Sequence, residues 1–485
     1  MTAIESAHAE LSQALAPERI LSDPLESALY ARDASMFEGG CTLVALPVST
    51  EEVAACLRIA RDHQMFVVPR GSGTGLAGAA VPFGNALVVA TTKMHRVLEI
   101  RTEDRLAWVQ PGIVNLDLVE ELRPLGCTFA PDPSSQQVCS VGGNVGTNAG
   151  GPHCLAYGVT SSHILAVEIV LPDGTVEVFG SEGPEWPGYD LRGLVVGSEG
   201  TLGIVTRVCV RLVPLAPAVR TMLLDFPTVE DCAATVSAII AAGVIPAALE
   251  MMDQLVTGAI ENYVHAGYPT DAAAVLLVEV DGLAESVKAQ ALEVASAAHG
   301  NNVRNVRVAE TEAERELLWK GRKSAFGATA QIAPDYHLHD CVVPRTKLAA
   351  VLTDVYEIVR RNDLKVLNVF HAGDGNLHPL LVFDRREPGA LDRVLRASEE
   401  IVRLCVQAGG ALSGEHGIGL EKRDFMHLVF NDTDLGAQAC LRDAFDPEGR
   451  MNPQKVLPSS ARCGDHVVLR GNDAVPNELP EGTWI

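Results

Sequence analysis

Glycine is concentrated in three short clusters of this chain, Gly71–Gly78, Gly142–Gly151 and Gly197–Gly203, all before residue 205. A glycine has no Cβ, so a glycine-rich turn adopts left-handed angles and brings its N–H groups close to an anion. The first cluster follows the strand-like run Phe66-Val-Val-Pro-Arg. The third leads into the apolar run from Ile204. In the second, Asn144, Thr147 and Asn148 interleave with the glycines, so side-chain and backbone donors alternate. Two such loops in one chain suit a long diphosphate ligand, and they mark the first half as the nucleotide-binding half.

Two common phosphate motifs fit less well. Gly73-Thr-Gly75-Leu-Ala-Gly78 matches G-x-G-x-x-G, but Pro69–Ser72 intervenes after the strand. No acidic residue ends a second strand about twenty residues later, beyond the poor fit of Val97-Leu-Glu99-Ile. No G-K-[ST] is present for a nucleoside-triphosphate loop.

The texture around the clusters is mixed. Ala3–Ala31 carries apolar residues at helical spacing. Strand-like runs (Thr42–Pro47, Met65–Pro69, Ala86–Ala90, Arg105–Val109) then alternate with helical ones (Thr50–His63, Val114–Leu122). Pro214 and Pro217 mark a boundary. Beyond it, helices are expected near Val229–Ala242 and Leu283–His299, and strands at Ala274–Glu279 and Val303–Val308. After Ser459 the chain is polar and aperiodic, and reads as a loosely held tail.

Composition narrows the class. With 485 residues the chain exceeds one core. The net charge of −24 repels phosphate backbones and anionic lipid, which argues against nucleic acid. No apolar run reaches the ~20 residues that span a bilayer, and Met1–Leu15 is acidic, unlike a signal peptide. A cytoplasmic address is expected, with any hold on the inner membrane supplied by a partner. The eleven cysteines lack C-x-x-C spacing, so a zinc ribbon and an iron–sulfur cluster are unsupported and free thiols are expected.

The second half carries Asn368-Val-Phe-His371-Ala-Gly-Asp-Gly-Asn376-Leu-His378-Pro and Ser413-Gly-Glu415-His416-Gly-Ile-Gly419. Seven residues apart, His371 and His378 would face opposite ways on one straight strand. A turn at Gly373-Asp-Gly375 lets them converge. Two imidazoles and a carboxylate, Glu415, make a three-ligand site with open positions for a catalytic divalent metal. His416 is placed to serve as a base, and Asp374 reads as a turn former. In the helical stretch Leu317–Phe326, Arg322 or Lys323 could bind a substrate carboxylate; the sequence does not choose between them, though Arg gives the better fork.

The glycine segments resemble the FAD-binding domain of the vanillyl-alcohol oxidase / p-cresol methylhydroxylase superfamily. His371–Pro379, Gly414–Gly419 and Met451-Asn-Pro-Gln-Lys-Val456 resemble the C-terminal domain of its FAD-linked 2-hydroxy-acid dehydrogenases, a group that includes the FAD-binding subunit of glycolate oxidase, D-lactate dehydrogenases and D-2-hydroxyglutarate dehydrogenase. Val343-Pro-Arg-Thr-Lys347 and Gly417-Ile-Gly-Leu-Glu-Lys422 look most like the glycolate oxidase subunit.

The resemblance implies an α+β chain with a two-lobed FAD-binding domain of the p-cresol methylhydroxylase type and an α+β substrate (cap) domain with an antiparallel sheet. The corresponding division is an N-terminal helical segment 1–36, an FAD-binding domain 37–216, a substrate domain with the metal site 217–424, a segment 425–458 returning to the FAD domain, and a tail 459–485.

It also implies the FAD contacts. They are Pro69, Arg70, Gly71, Ser72, Gly73, Thr74 and Gly75 from the first loop; Pro131, Ser135, Gly142, Gly143, Gly146, Thr147, Gly150, Gly151, Tyr157, Gly158 and Thr160 around the second; and Glu199, Gly203, Ile204 and Asn452. Some relatives attach flavin through a histidine in the first loop; Thr74 stands there in this chain, so non-covalent FAD is expected.

By the same resemblance His371, His378 and Glu415 match the ligands of a divalent metal, zinc or manganese. His416 matches the base, Arg322 the carboxylate-binding arginine and Asn376 a substrate-pocket residue. Hydroxyglutarate enzymes have a lysine before the Asp-x-x-x-Pro element, whereas Leu338-His339 precede Asp340 here, which points to a monocarboxylate such as glycolate or D-lactate. An electron-accepting partner subunit, carrier protein or quinone is then required, and a homodimer is compatible. The readings set against this one are D-2-hydroxyglutarate oxidation, a metal-dependent hydrolase without flavin, and a non-catalytic flavin-carrying subunit.

Overall fold

The computed structural model describes residues 3–183 and 187–458, so the tail expected from residue 459 lies outside the described residues. The chain forms two compact units: one comprises residues up to 150, 159–215 and from 415 onward, the other 151–158 with 216–414.

The first unit holds two main sheets. In one, Ile20–Leu21, Leu43–Ala45, Ala86–Ala90 and Phe66–Arg70 lie in that spatial order, with the last three strands parallel. Parallel strands are buried on both faces and read as continuous apolar runs; all five residues of Ala86–Ala90 are buried. The helix Thr50–Asp62, capped by the Ser49 hydroxyl, packs Val53, Leu57 and Ala60 against this sheet. The second sheet is antiparallel, in the order Val97–Arg101, Leu106–Val109, Ile204–Arg211, Ile164–Val170, Val176–Gly180. Near the far end of the chain, Met451 pairs in parallel with Val67, and the Val67 and Asn452 amides donate to Arg450 O and Val67 O at 2.9 and 2.7 Å.

The second unit is built on one antiparallel sheet of nine strands. Its main path runs Asn305–Val308, Ala218–Phe226, Ala274–Gly282, Ala248–Asp253, Lys365–His371, Asn376–Leu377, Cys341–Val342; Pro379–Phe383 also pairs with Lys365–His371 and carries Asp335–Leu338. An α+β fold with antiparallel sheets, as expected, is therefore what the chain adopts.

Local differences from the sequence pattern have simple causes. The helical run expected over Ala3–Ala31 stops at Ala14: Pro17 opens a short 3₁₀ turn, Ile20–Leu21 joins the sheet, and Asp23 caps a new helix, Pro24–Ala28. Leu317–Phe326 is likewise divided, between helices Glu312–Lys323 and Ala325–Thr329. Among the described residues nine cysteines are free thiols, whereas Cys440 is disulfide-bonded.

The segment 151–158 sits with the second unit because its side chains bond there. Tyr157 donates its hydroxyl to Asp281, and the His153 ring lies 3.3 Å from Glu279. Glu279 is buried in the strand Ala274–Gly282 and also accepts from Trp319 Nε1 at 2.6 Å, Thr221 Oγ1 at 2.5 Å and Arg315 Nε at 3.0 Å. Burial opposes its ionisation, but the hydrogen bonds and charges of His153 and Arg315 outweigh that and hold the carboxyl far below the usual carboxylate range. Glu279→Gln is expected to cost about 3 kcal/mol at neutral pH, since it leaves a buried pair half-made. A folded-state pKa below the unfolded value of about 4.3 makes this contribution complete above that value and lost as pH falls through the folded one. The gap in denaturation midpoint between wild type and variant should therefore hold from about pH 8 to pH 5 and shrink below about pH 4; equal midpoints at neutral pH would contradict the assignment.

Candidate active site

The three glycine clusters converge in the first unit. A Cβ on Gly71 would lie 2.4 Å from Ser140 Oγ and 3.3 Å from Gly143 Cα, so the first loop rests directly on the start of the second. The second is a helix, Val141–Thr147, whose first turn is capped by the Ser140 hydroxyl accepting from Gly143 N. The third is bonded to that helix's end: Gly197 N donates to Val145 O at 2.9 Å and Glu199 N to Gly146 O at 2.8 Å. Gly200 closes the ring, since a Cβ there would lie 2.7 Å from Pro69 Cγ. The result is a cradle lined by backbone, which side chains would fill.

Other expected cofactor residues fall around it with differing parts. Gly73 is left-handed, and a Cβ on it would strike the Arg70 guanidinium. Arg70 itself turns away, donating to Arg32 O at 2.6 Å and stacking on Tyr30. Ser72, Thr74 and Gly75 complete the half-buried loop. Pro131 O accepts from Asn115 Nδ2, Ser135 O from the Val138 and Cys139 amides, and Thr147 Oγ1 bonds back to Gly143 O. Thr160 Oγ1 donates to Ala149 O, next to Gly150, and Gly203 leads tightly past Val170 O into Ile204. Gly151, Tyr157 and Gly158 belong to the second unit, where the Tyr157 hydroxyl is committed to Asp281. Asn452 Nδ2 donates to Glu199 O and Ala79 O, while its Oδ1 is buried with no partner among the described residues. The backbone cradle and this buried acceptor fit a polar ligand of FAD's kind.

In the second unit, His371 ends one strand and pairs with Asn376 across the turn Ala372–Gly375. Gly375 must be glycine: its φ is +71° and a Cβ would lie 2.1 Å from Val343 O. Asp374 forms this turn, its amide donating to His371 O. The imidazoles of His371 and His378 come together at 5.1 Å between centroids, nearly perpendicular. His371 Nδ1 donates to Glu250 Oε1 at 2.8 Å, and His378 Nδ1 donates to His339 O at 3.1 Å. Each bond sets the tautomer that carries its lone pair on Nε2, the arrangement of metal-ligating histidines. The donor set therefore suits a divalent cation.

Glu250 was not legible as a site residue. It stands directly opposite His371 in the neighbouring strand, fully buried. Its other oxygen accepts from Arg322 Nε at 2.8 Å and Nη2 at 2.6 Å. The structure thus separates Arg322, buried against Glu250, from exposed Lys323. It also shows that one edge of Arg322 is spent on Glu250. Asp340 was missed as well: it is fully buried and accepts from Ser413 Oγ at 2.6 Å and Gly414 N at 3.0 and 3.1 Å. Gly414 lies against the Asn376 amide, where a Cβ would come within 2.3 Å of Nδ2. A lone Glu in Ala-Leu-Glu250-Met-Met and a lone Asp after His339 were the only signals.

Glu415 and His416 open the segment that belongs to the first unit; both are nearly buried, with His416 Nε2 3.8 Å from Glu415 Oε1. Glu199, expected among the cofactor contacts, bonds through its carboxylate to the turn after His416.

Residues 41–180 match the family described as FAD binding domain, and residues 215–456 match the C-terminal domain of FAD linked oxidases. The chain belongs to the FAD-linked oxidases. It is an oxidoreductase that binds FAD. Among relatives of this FAD-linked oxidase, the glycolate oxidase subunit GlcD of Escherichia coli K12 is 44% identical over 87% of this chain and 85% of its own length. GlcD of Bacillus subtilis is 37% identical over 93% and 97%, and a D-lactate dehydrogenase of Anaerostipes hadrus 31% over 91% and 95%. The fold is that of p-cresol methylhydroxylase, with a TM-score of 0.80 at 15% identity over 94% of this chain and 96% of that one. No described helix is long and apolar enough to cross a membrane.

Gly71→Ala should weaken FAD binding, because its methyl group cannot be placed without moving Ser140 or the helix start beside it. The flavin-to-protein absorbance ratio after gel filtration should fall below the wild-type value; an unchanged ratio would remove Gly71 from the cradle.

Proposed function

We propose that this FAD-linked oxidase converts a small 2-hydroxy monocarboxylic acid, glycolate or D-lactate, to the 2-oxo acid. The observation that carries the reading is the pair His371 and His378, each fixed through Nδ1 so that Nε2 carries the lone pair. Relatives named for glycolate and D-lactate support the substrate class.

His371 and His378, with Glu415 as third ligand, would hold a divalent cation, zinc or manganese, which lowers the pKa of a bound hydroxyl. Arg322 would orient the substrate carboxylate through its Nη1 side, the edge not taken by Glu250. Asn376, beside His371 in the hairpin, would line the pocket. His416 accepts the hydroxyl proton as the α-hydrogen departs with its bonding electrons and the carbinol carbon becomes a carbonyl. FAD, when bound, supplies the two-electron acceptor. Its attachment is non-covalent, as no histidine stands in Gly71–Gly78. Leu338 and His339 stand buried before Asp340, where hydroxyglutarate enzymes have a lysine, which favours a monocarboxylate. Electrons then pass to a partner subunit, a carrier protein or a quinone; the relatives named as glycolate oxidase subunits favour a partner subunit. A cytoplasmic address completes the proposal.

Anaerobic mixing with glycolate, D-lactate, L-lactate or D-2-hydroxyglutarate tests the substrate: bleaching of the flavin is expected with glycolate or D-lactate, and bleaching by D-2-hydroxyglutarate alone would refute the monocarboxylate. His416→Ala should slow bleaching about 10²–10⁴-fold with flavin retained; a wild-type rate would dismiss His416 as base. Removal of metal by a chelator, verified by elemental analysis, should slow bleaching by at least about tenfold, with recovery on adding zinc or manganese. Full activity in metal-free protein would end the metal assignment.

A further inference from the structure

The turn after His416 is held by one carboxylate. Glu199, 5% exposed, accepts from Ile418 N at 2.7 Å and from Gly419 N at 2.9 and 3.1 Å. Glycine is required on both sides: Gly417 and Gly419 have φ of +87° and +51°, and a Cβ on Gly417 would lie 2.6 Å from Glu199 Oε1. Glu199 is itself left-handed, at φ +52°, an unfavourable position for a side-chain-bearing residue. Glycine would serve the turn better, so the side chain must repay that cost. Its backbone is clamped as well, through Glu199 N to Gly146 O and Glu199 O from Asn452 Nδ2 at 2.7 Å.

We propose that Glu199 is the positioning residue for His416, fixing the imidazole's place by gripping the peptide two and three residues beyond it. The assignment rests on His416 as the base. Gly417 is the one residue of chain between His416 and the gripped amides, so a shift at Ile418 is carried toward the imidazole through a single intervening residue. A displacement of about 1 Å at a proton-transfer group can cost about 10²-fold in rate. Burial pushes the Glu199 carboxyl up to about 7, against the pull of the Gly419 and Ile418 amides and of buried Lys455. The amides, donors only, favour its ionised form.

Glu199→Gln keeps the size but turns an NH₂ group toward an amide that needs an acceptor. Gly417→Ala leaves Glu199 intact and pushes the turn off it. In both, kcat per bound flavin is expected to fall about 10–100-fold, with KM within about twofold and the flavin spectrum unchanged. Combined with His416→Ala, Glu199→Gln should cost nothing further. Unchanged kcat per flavin in both variants overturns the proposal. So does flavin loss with normal kcat in the flavin that remains, which would make Glu199 merely structural. Additive losses in the double variant overturn it too. A full rate in His416→Ala alone brings down the base assignment first, and the positioning role with it.

Discussion

The buried carboxylate of Glu250 is the constraint around which the polar groups of the second unit are arranged. A carboxylate buried in the middle of a sheet is tolerable only when charge and hydrogen bonds replace water. Arg322 supplies the charge on one oxygen, and His371 supplies a donor on the other. The antiparallel register does the placing, since Glu250 faces His371 and His371 faces Asn376 on successive strands. The same face of the sheet carries Thr221 opposite Glu279. A stripe of polar groups thus crosses the sheet, with Thr221 bonded to Glu279 and His371 to Glu250. Such a stripe gives a rigid platform for imidazoles that must hold their angle.

The first unit uses the opposite material. Its cradle is made by close approach of glycine backbone to its neighbours, at Gly71 against Gly143, Gly200 against the Pro69 ring and Gly419 against Ala77 O, where a Cβ would come within 2.0 Å. Glycine supplies this closeness at an entropic cost that the bonds donated to Val145 O and Gly146 O offset. Where a side chain does enter, as at Glu199, it is there to bond amides that would otherwise be buried unpaired.

Much of this was legible in the sequence, for reasons that differ by residue. Ala86–Ala90 reads as a buried strand because a parallel strand is apolar on both faces, and its bounds are those of the sequence pattern. The His371–His378 turn was legible because glycine breaks a strand at a defined place. Glu250 and Asp340 were not, because a single carboxylate in an apolar run looks the same whether it faces solvent or is paired across strands. Their partners lie 72 and 73 residues away, and only register brings them together. The helical period over Ala3–Ala31 misled for the converse reason: apolar spacing persists through Pro17, where the missing amide ends the helix.

Val67 sits at the start of the first glycine loop, yet its amide and carbonyl are satisfied by Arg450 and Asn452. The strand that presents the loop is therefore left with an open edge until residues 450–452 have been made. At about 5–20 residues per second, a ribosome needs roughly 20–80 s to travel from one to the other. Throughout that time the cofactor cradle is a half-built wall, while the sheet of the second unit, continuous from residue 216 to 414, can already close. Completion of the cradle is thereby tied to the arrival of residues 450–452, and not to emergence of the nucleotide-binding sequence alone.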